Sequence, residues 1–220
     1  MKKIIALILL LSLIFVGCSN KEQSTSDTKS NVDVSAEELL EKALAFLTKE
    51  KDIYLESKMD VEKGDKRENL LISKINIDKN GNSKVEISGT GRETTEDIFL
   101  LDESKGYRRD NPNSAFVEYK TDLKTRQEMI SWGKDDPFVN KEYHKNLKVE
   151  EKEGKLVLTS EIINDEVKVN YSFFFDKHQN LKSLNVNISD KNGINFITDY
   201  SVISNSTEEV KKPDNFISLQ

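Results

Sequence analysis

Residues 167–202 read VKVNYSFFFDKHQNLKSLNVNISDKNGINFITDYSV, and this stretch decides the fold. Val167, Val169, Tyr171, Phe173 and Phe175 fall on every second position, Leu184, Val186 and Ile188 repeat the period, and Ile194, Phe196, Thr198, Tyr200 and Val202 repeat it again. Successive side chains of a strand point to opposite sides of the sheet, so this period marks strands with one buried face. Between them, Lys177 to Asn180 and Asp190-Lys191-Asn192-Gly193 are residue types that tolerate the positive φ of a tight hairpin. Three strands joined by short turns predict an antiparallel meander.

The pattern extends toward the amino terminus. Ile53, Leu55, Met59 and Val61 share one face of a strand, with Tyr54, Glu56, Lys58 and Asp60 on the other. Further strands are predicted at Leu71 to Ile77, Val85 to Gly89, Ile98 to Leu101, Phe116 to Lys120, Leu147 to Glu151 and Leu156 to Ile162, with Asp78-Lys79-Asn80-Gly81 and Glu151 to Gly154 as turns. Ahead of them, Ser35-Ala36-Glu37-Glu38 has the form of a capping box. Leu40, Ala43, Leu44 and Leu47, widened by Leu39 and Phe46, then follow at helical spacing. Asp122 to His144 interrupt the strands: Leu123, Met129, Ile130 and Trp132 suggest a helix, and Pro137 opens a second short one. The expected class is α+β, a large antiparallel sheet with an amino-terminal helix and inserted helices.

Met1-Lys2-Lys3 is a short basic segment, and Ile4 to Val16 is an apolar run too short to span a bilayer as a stable helix. It ends in Ile14-Phe15-Val16-Gly17-Cys18, which resembles the bacterial lipobox, with Phe15 departing from the usual Leu. The resemblance implies that residues 1–17 are a lipoprotein signal peptide and that Cys18 is the lipidated first residue, carrying diacylglycerol and palmitate. Two or three acyl chains, at about 0.8 kcal/mol per buried methylene, anchor such a protein to the outer face of the cell membrane. Residues 19–34 hold two Val and no aromatic residue, too little apolar surface to offset their own ordering. With Cys18 they read as a tether of 18–34, and the domain as 35–220.

A helix on a long antiparallel sheet with helices inserted midway is similar to the lipoprotein-carrier superfamily of LolA/LolB-like half-barrels. Glu37 to Phe46 followed by Tyr54, Ser57 and Met59 resembles the opening of a Gram-positive lipoprotein group in it. Gly106-Tyr107 with Phe116 to Tyr119 resembles its central hairpin, although Trp is often found where this chain has Phe116 or Tyr119. Tyr171 to Asp176, Tyr200 to Asn205 and Pro213-Asp214-Asn215-Phe216 resemble its later strands and its close. The resemblance implies a highly curved sheet, with the helices packed on a concave face that receives acyl chains. Without an outer membrane to supply, the carrier role itself does not transfer.

Composition narrows the function further. Lys and Arg number 33 against 39 Asp and Glu, a net charge of -6 that disfavours nucleic-acid partners and polybasic membrane adsorption. One Cys excludes an internal disulfide, and two His leave too few ligands for a structural zinc site; no cofactor is expected. No nucleophile-and-base motif, phosphate loop or dinucleotide fingerprint is present, so the chain reads as non-enzymatic. His144 and His178 read as surface residues, the carboxylates as solvent-facing, and the two Asp-Lys-Asn-Gly segments as turns, not calcium loops. Arg108 and Arg109 point to opposite faces, so only one of them is placed to meet an anionic headgroup.

Leu55, Met59, Tyr171, Phe173, Phe175, Val186, Ile188 and Phe196 are the candidates to line a concave apolar site, with Trp132 as a lid. The competing reading packs them as ordinary core, because only about 32% of the residues after the leader are apolar. Two functions follow. In one, a lipid or other hydrophobic ligand lies between sheet and helices. In the other, an envelope adaptor with a solid core meets a protein partner, for example along a sheet edge. For the anchor, metabolic labelling with palmitate is expected to mark the wild-type protein and to vanish in Cys18→Ser.

Overall fold

The computed structural model describes residues 34–49, 51–101, 104–121, 138–163, 167–202 and 207–218. One helix, α1 (Ala36–Leu47), precedes β1 (Ile53–Lys63), β2 (Lys66–Ile77), β3 (Ser83–Gly89), β4 (Arg92–Leu100), β5 (Lys105–Arg109) and β6 (Phe116–Lys120). After a 3-10 turn (Lys141–Tyr143) come β7 (Lys145–Lys152), β8 (Lys155–Ile163), β9 (Val167–Phe175), β10 (Leu181–Asp190), β11 (Ile194–Val202) and β12 (Phe216–Ile217). They form a single open, curved sheet in the order β12-β6-β5-β4-β3-β2-β1-β11-β10-β9-β8-β7. Every pairing is antiparallel except that of β12 with β6.

The register carries each strand's apolar alternation across the sheet. One row runs Val149–Leu158–Phe173–Leu184–Tyr200 through β7, β8, β9, β10 and β11, and passes to Ser57 and Ser73 in β1 and β2, whose hydroxyls lie 2.7 Å apart. These side chains belong to the inner face, on which α1 packs. Ser35 caps the helix in the predicted capping box, and Leu39, Leu40, Ala43, Leu44 and Leu47 are buried against the sheet. The register slips at four places, between Met59 and Asp60, Leu181 and Ser183, Ile87 and Gly89, and Lys145 and Lys148. Each extra residue bends its strand and increases local twist. At Gly89 the backbone approaches Leu70 so closely that an added Cβ would stand 2.2 Å from the Leu70 carbonyl oxygen.

Alternation alone does not predict a second core, on the outer face. Ile98, Leu100, Tyr107 and Phe116 from β4, β5 and β6 are buried there beneath the carboxyl-terminal segment, which adds Val210 and Phe216. That segment lies across the outer face as a strap. Thr207 donates to Asp52 (2.7 Å), Asn76 donates to the Glu208 carbonyl (2.8 Å), and the Phe116 amide donates to the Asn215 carbonyl (3.1 Å). The Lys212 ammonium stands over the rings of Tyr107 and Phe216, which meet edge to face.

Two expectations need correction. The inserted helices packed on the inner face are not supported: residues 122–137, with Trp132, lie outside the described residues, and the remainder of that stretch holds only the 3-10 turn. Cys18 and the tether up to residue 33 also lie outside them. Nor are the carboxylates uniformly solvent-facing. Asp60, Asp78, Glu96 and Asp97 are buried, and at the first three cations or hydrogen-bond donors replace the lost water.

Asp78 shows why. One carboxylate oxygen accepts the amides of Asn80 (2.8 Å) and Asn82 (3.0 Å), and the other accepts the buried amide of Val210 (3.1 Å), so this side chain shapes the β2–β3 turn and pins the strap. Asp176 and Asp190 repeat the arrangement at the β9–β10 and β10–β11 turns, each accepting the amides two and four residues on. Asp78→Ala leaves these three backbone amides without that acceptor and is expected to cost about 2 to 3 kcal/mol in chemical denaturation.

Candidate functional site

Two neighbouring rows of the inner face define the site. The first runs Ser160–Tyr171–Val186–Thr198–Met59–Leu71 and the second Ile162–Val169–Ile188–Phe196–Val61–Glu68, both from β8 to β2. Burial falls along each. Ser160, Tyr171, Val186, Thr198, Ile162 and Val169 are buried, whereas Met59, Leu71, Ile188, Phe196 and Val61 are only half-buried. The apolar alternation therefore continues beyond the dry core onto an uncompleted apolar strip at the β1, β2, β10 and β11 hairpin ends.

The nine predicted ligand residues divide accordingly. Leu55, Tyr171, Phe173, Phe175 and Val186 are buried in the core beneath α1, and Ile188 packs partly against them. Met59 and Phe196 lie on the half-covered strip, paired through Thr198 and Val61 respectively. Trp132 falls outside the described residues. Phe174 points to the outer face, half-buried and paired with Val157. Leu71 and Val61 join the strip unpredicted, although the period of two around Val61 and Leu71 placed both on this face.

His144 corrects another expectation, because it is not a surface residue. Its ring is buried: Nδ1 lies 2.8 Å from the Ser160 hydroxyl and Nε2 lies 3.0 Å from the Phe138 carbonyl. Since a carbonyl only accepts, Nε2 carries the proton and Nδ1 accepts from Ser160. Burial holds its pKa below the ordinary histidine value, against the pull of the Phe138 carbonyl. No periodic pattern precedes it in the sequence, so nothing there signalled its burial.

The arginines face oppositely, as their adjacency requires. Arg109 turns outward to Glu96, which also receives the Lys84 ammonium (2.8 Å), and stands over the Phe116 ring. Burial alone would raise the Glu96 pKa, but these two cations bring it below the usual carboxylate range. Arg108 turns inward, to Asp110 (3.0 Å) and more distantly to buried Asp97 (3.8 Å). Among the described residues Asp97 has only that contact and a long one from the Tyr119 hydroxyl (3.4 Å), and burial raises its pKa. Tyr119 fits there because its ring lies across Gly106, where any Cβ would collide with it.

Two clefts open on the outer face. One of about 380 Å³ is lined by Tyr54, Glu56, Lys74, Asn76, Lys84, Glu86 and Glu208, and one of about 530 Å³ by Lys152, Glu153, Lys155, Val157 and Phe174. In the first, burial together with Glu56, Glu86 and Glu208 pushes the Tyr54 hydroxyl up to about 12, so it acts as a neutral donor to Glu56 (2.7 Å). Among the described residues, no group of three His, Cys, Asp or Glu could hold a metal ion, and no helix is long and apolar enough to cross a membrane.

No family profile and no curated protein sequence matches the chain. Solved structures with a similar course include a LolA superfamily protein from Nitrosomonas europaea, at 13% identity over 81% of this chain and 96% of that one (TM-score 0.36). MucB from Pseudomonas aeruginosa, solved with MucA, is 8% identical over 79% of this chain and 58% of its own (TM-score 0.40). A DUF1329 family protein from Desulfovibrio piger is 12% identical over 77% and 92% (TM-score 0.31).

Truncation separates the two parts of the inner face. Phe173→Ala, in the core, is expected to cost about 3 to 5 kcal/mol, whereas Phe196→Ala on the strip is expected to cost less than about 1.5 kcal/mol in the same urea titration.

Proposed function

We propose that the protein is a membrane-anchored, extracytoplasmic lipoprotein of LolA-like form that binds a lipid or other hydrophobic ligand on the inner face of its sheet, without catalysing a reaction. The half-covered strip of Met59, Val61, Leu71, Ile188 and Phe196 carries this reading, because five neighbouring apolar side chains continue the core face without completing its burial. An acyl chain needs only such non-directional contact. The lipobox-like segment ending at Cys18 supports the anchor and the location.

The second reading, an envelope adaptor, draws support from the edge formed by β6 and β12. Val117 and Ile217 pair there and are both exposed, whereas β7 at the other edge is crowded with Lys145, Lys148, Glu150, Glu151 and Lys152. Charge along an edge strand opposes strand addition, so a β-strand partner is directed to the β12 side.

Native mass spectrometry with solvent extraction, on protein released from host membranes, is expected to find a reproducible bound lipid beyond the covalent anchor. Phe196→Asp is expected to lose that lipid while keeping its cooperative melt, whereas Phe175→Asp unfolds. A clean apo mass in the wild type would sink the ligand reading and leave the adaptor.

A further inference from the structure

The segment from Phe138 to His144 reaches the inner face as a discrete clasp. The Phe138 ring meets Tyr171 edge to face at 4.9 Å, Val139 is buried in the core, and the His144 ring closes the span, 5.0 Å from Tyr171 and 6.1 Å from Phe173. Both ends of the clasp meet at this imidazole, since Nε2 holds the Phe138 carbonyl while Nδ1 holds Ser160 on β8. We propose that His144 is an acid-sensitive latch: proton uptake by its imidazole releases residues 138–144 from the sheet and uncovers Tyr171 and Phe173.

Protonation leaves a hydrogen-bonding pattern that Ser160 can still satisfy by rotating its hydroxyl, because Nδ1–H then donates to it. It adds a buried charge, and among the described residues the groups packed round the ring supply no counter-charge. Ser160, Tyr171, Phe173 and the Phe138 carbonyl are all neutral. On α1, Glu41 is engaged by Lys141 of the 3-10 turn (2.8 Å). Glu142 is an exposed residue of that turn, its carbonyl receives the Lys145 ammonium of β7 (2.7 Å), and Glu161 of β8 is paired with Lys168 (2.9 Å). The closed form thus binds the proton less well than the open one, where the imidazole meets water.

The direction follows from linkage. A histidine held below its ordinary 6.5 when closed leaves the clasp unaffected above that pH. Below it, each pH unit favours opening by about ten-fold until the closed-state pKa is reached. The proposal is independent of any ligand.

Amide exchange of the full chain between pH 7.5 and 5.0, corrected for intrinsic rates, tests it. The opening of residues 138–144 is expected to rise about ten-fold per unit below pH 6.5 in the wild type and to stay flat in His144→Gln, while β1 and β11 remain protected. An equal rise in both proteins, no rise in the wild type, or simultaneous loss of protection in β1 and β11 overturns the latch. Should His144→Gln not fold, ring NMR of the two histidines of the wild type decides. His144 is expected to titrate only as the resonances of its segment move, and protonation with the segment unmoved refutes the proposal.

Discussion

The row that joins Leu158, Phe173 and Leu184 across β8, β9 and β10 is the constraint on which the remaining structure hangs. A period of two admits only two registers of meaning, and slipping any of these strands by one residue would move its whole apolar set to the opposite face. With the register held, α1 has one place to put Leu39, Leu40, Ala43, Leu44 and Leu47. The helix in turn fixes which end of the inner face is dry and which is left half-covered. Core and candidate site are therefore one surface at two degrees of closure, not two separately built objects.

Long strands supply the main obstacle to such a plan, because a flat sheet this wide would neither curl round a helix nor end cleanly. The four register slips resolve the first difficulty by adding twist where β2, β4, β7 and β10 need it. Charge resolves the second at β7, and the strap resolves it at β6 by laying β12 alongside. The outer face is left largely polar between β8 and β11, but between β4 and β6 it carries a core of its own. The core thus passes from the inner face beneath α1 to the outer face at β4, β5 and β6.

That change marks the limit of what the residues disclosed. Ten of the strands, the helix with its cap and the hairpin turns were legible because each rests on local spacing: Val167 to Phe175 show a period of two, and Ser35 to Glu38 form a motif within four residues, whereas β5 and β12 are too short to show a period. Met59, Phe196 and the core aromatics were legible as one face for the same reason. Which of them stay half-covered was not, since that depends on how far α1 reaches. Burial of Glu96 was hidden because its two cations, Lys84 and Arg109, come from flanking strands and meet it only after pairing. Ser160 gave no sign of its histidine partner across 16 residues. Tyr107 and Val210 were invisible as core partners for a similar reason, lying about a hundred residues apart in the chain.

The strap also orders events in time. Ile98, Leu100, Tyr107 and Phe116 are complete as strands long before residues 210–216 are synthesised, yet they have no cover until those residues arrive. Contacts of such long range form late, and an uncovered apolar face on a finished meander is the kind of surface that chaperones and proteases recognise. A chain interrupted anywhere upstream of Val210 keeps that face uncovered. Cover on the side of the sheet away from its candidate ligand is therefore a sign that synthesis has passed Phe216.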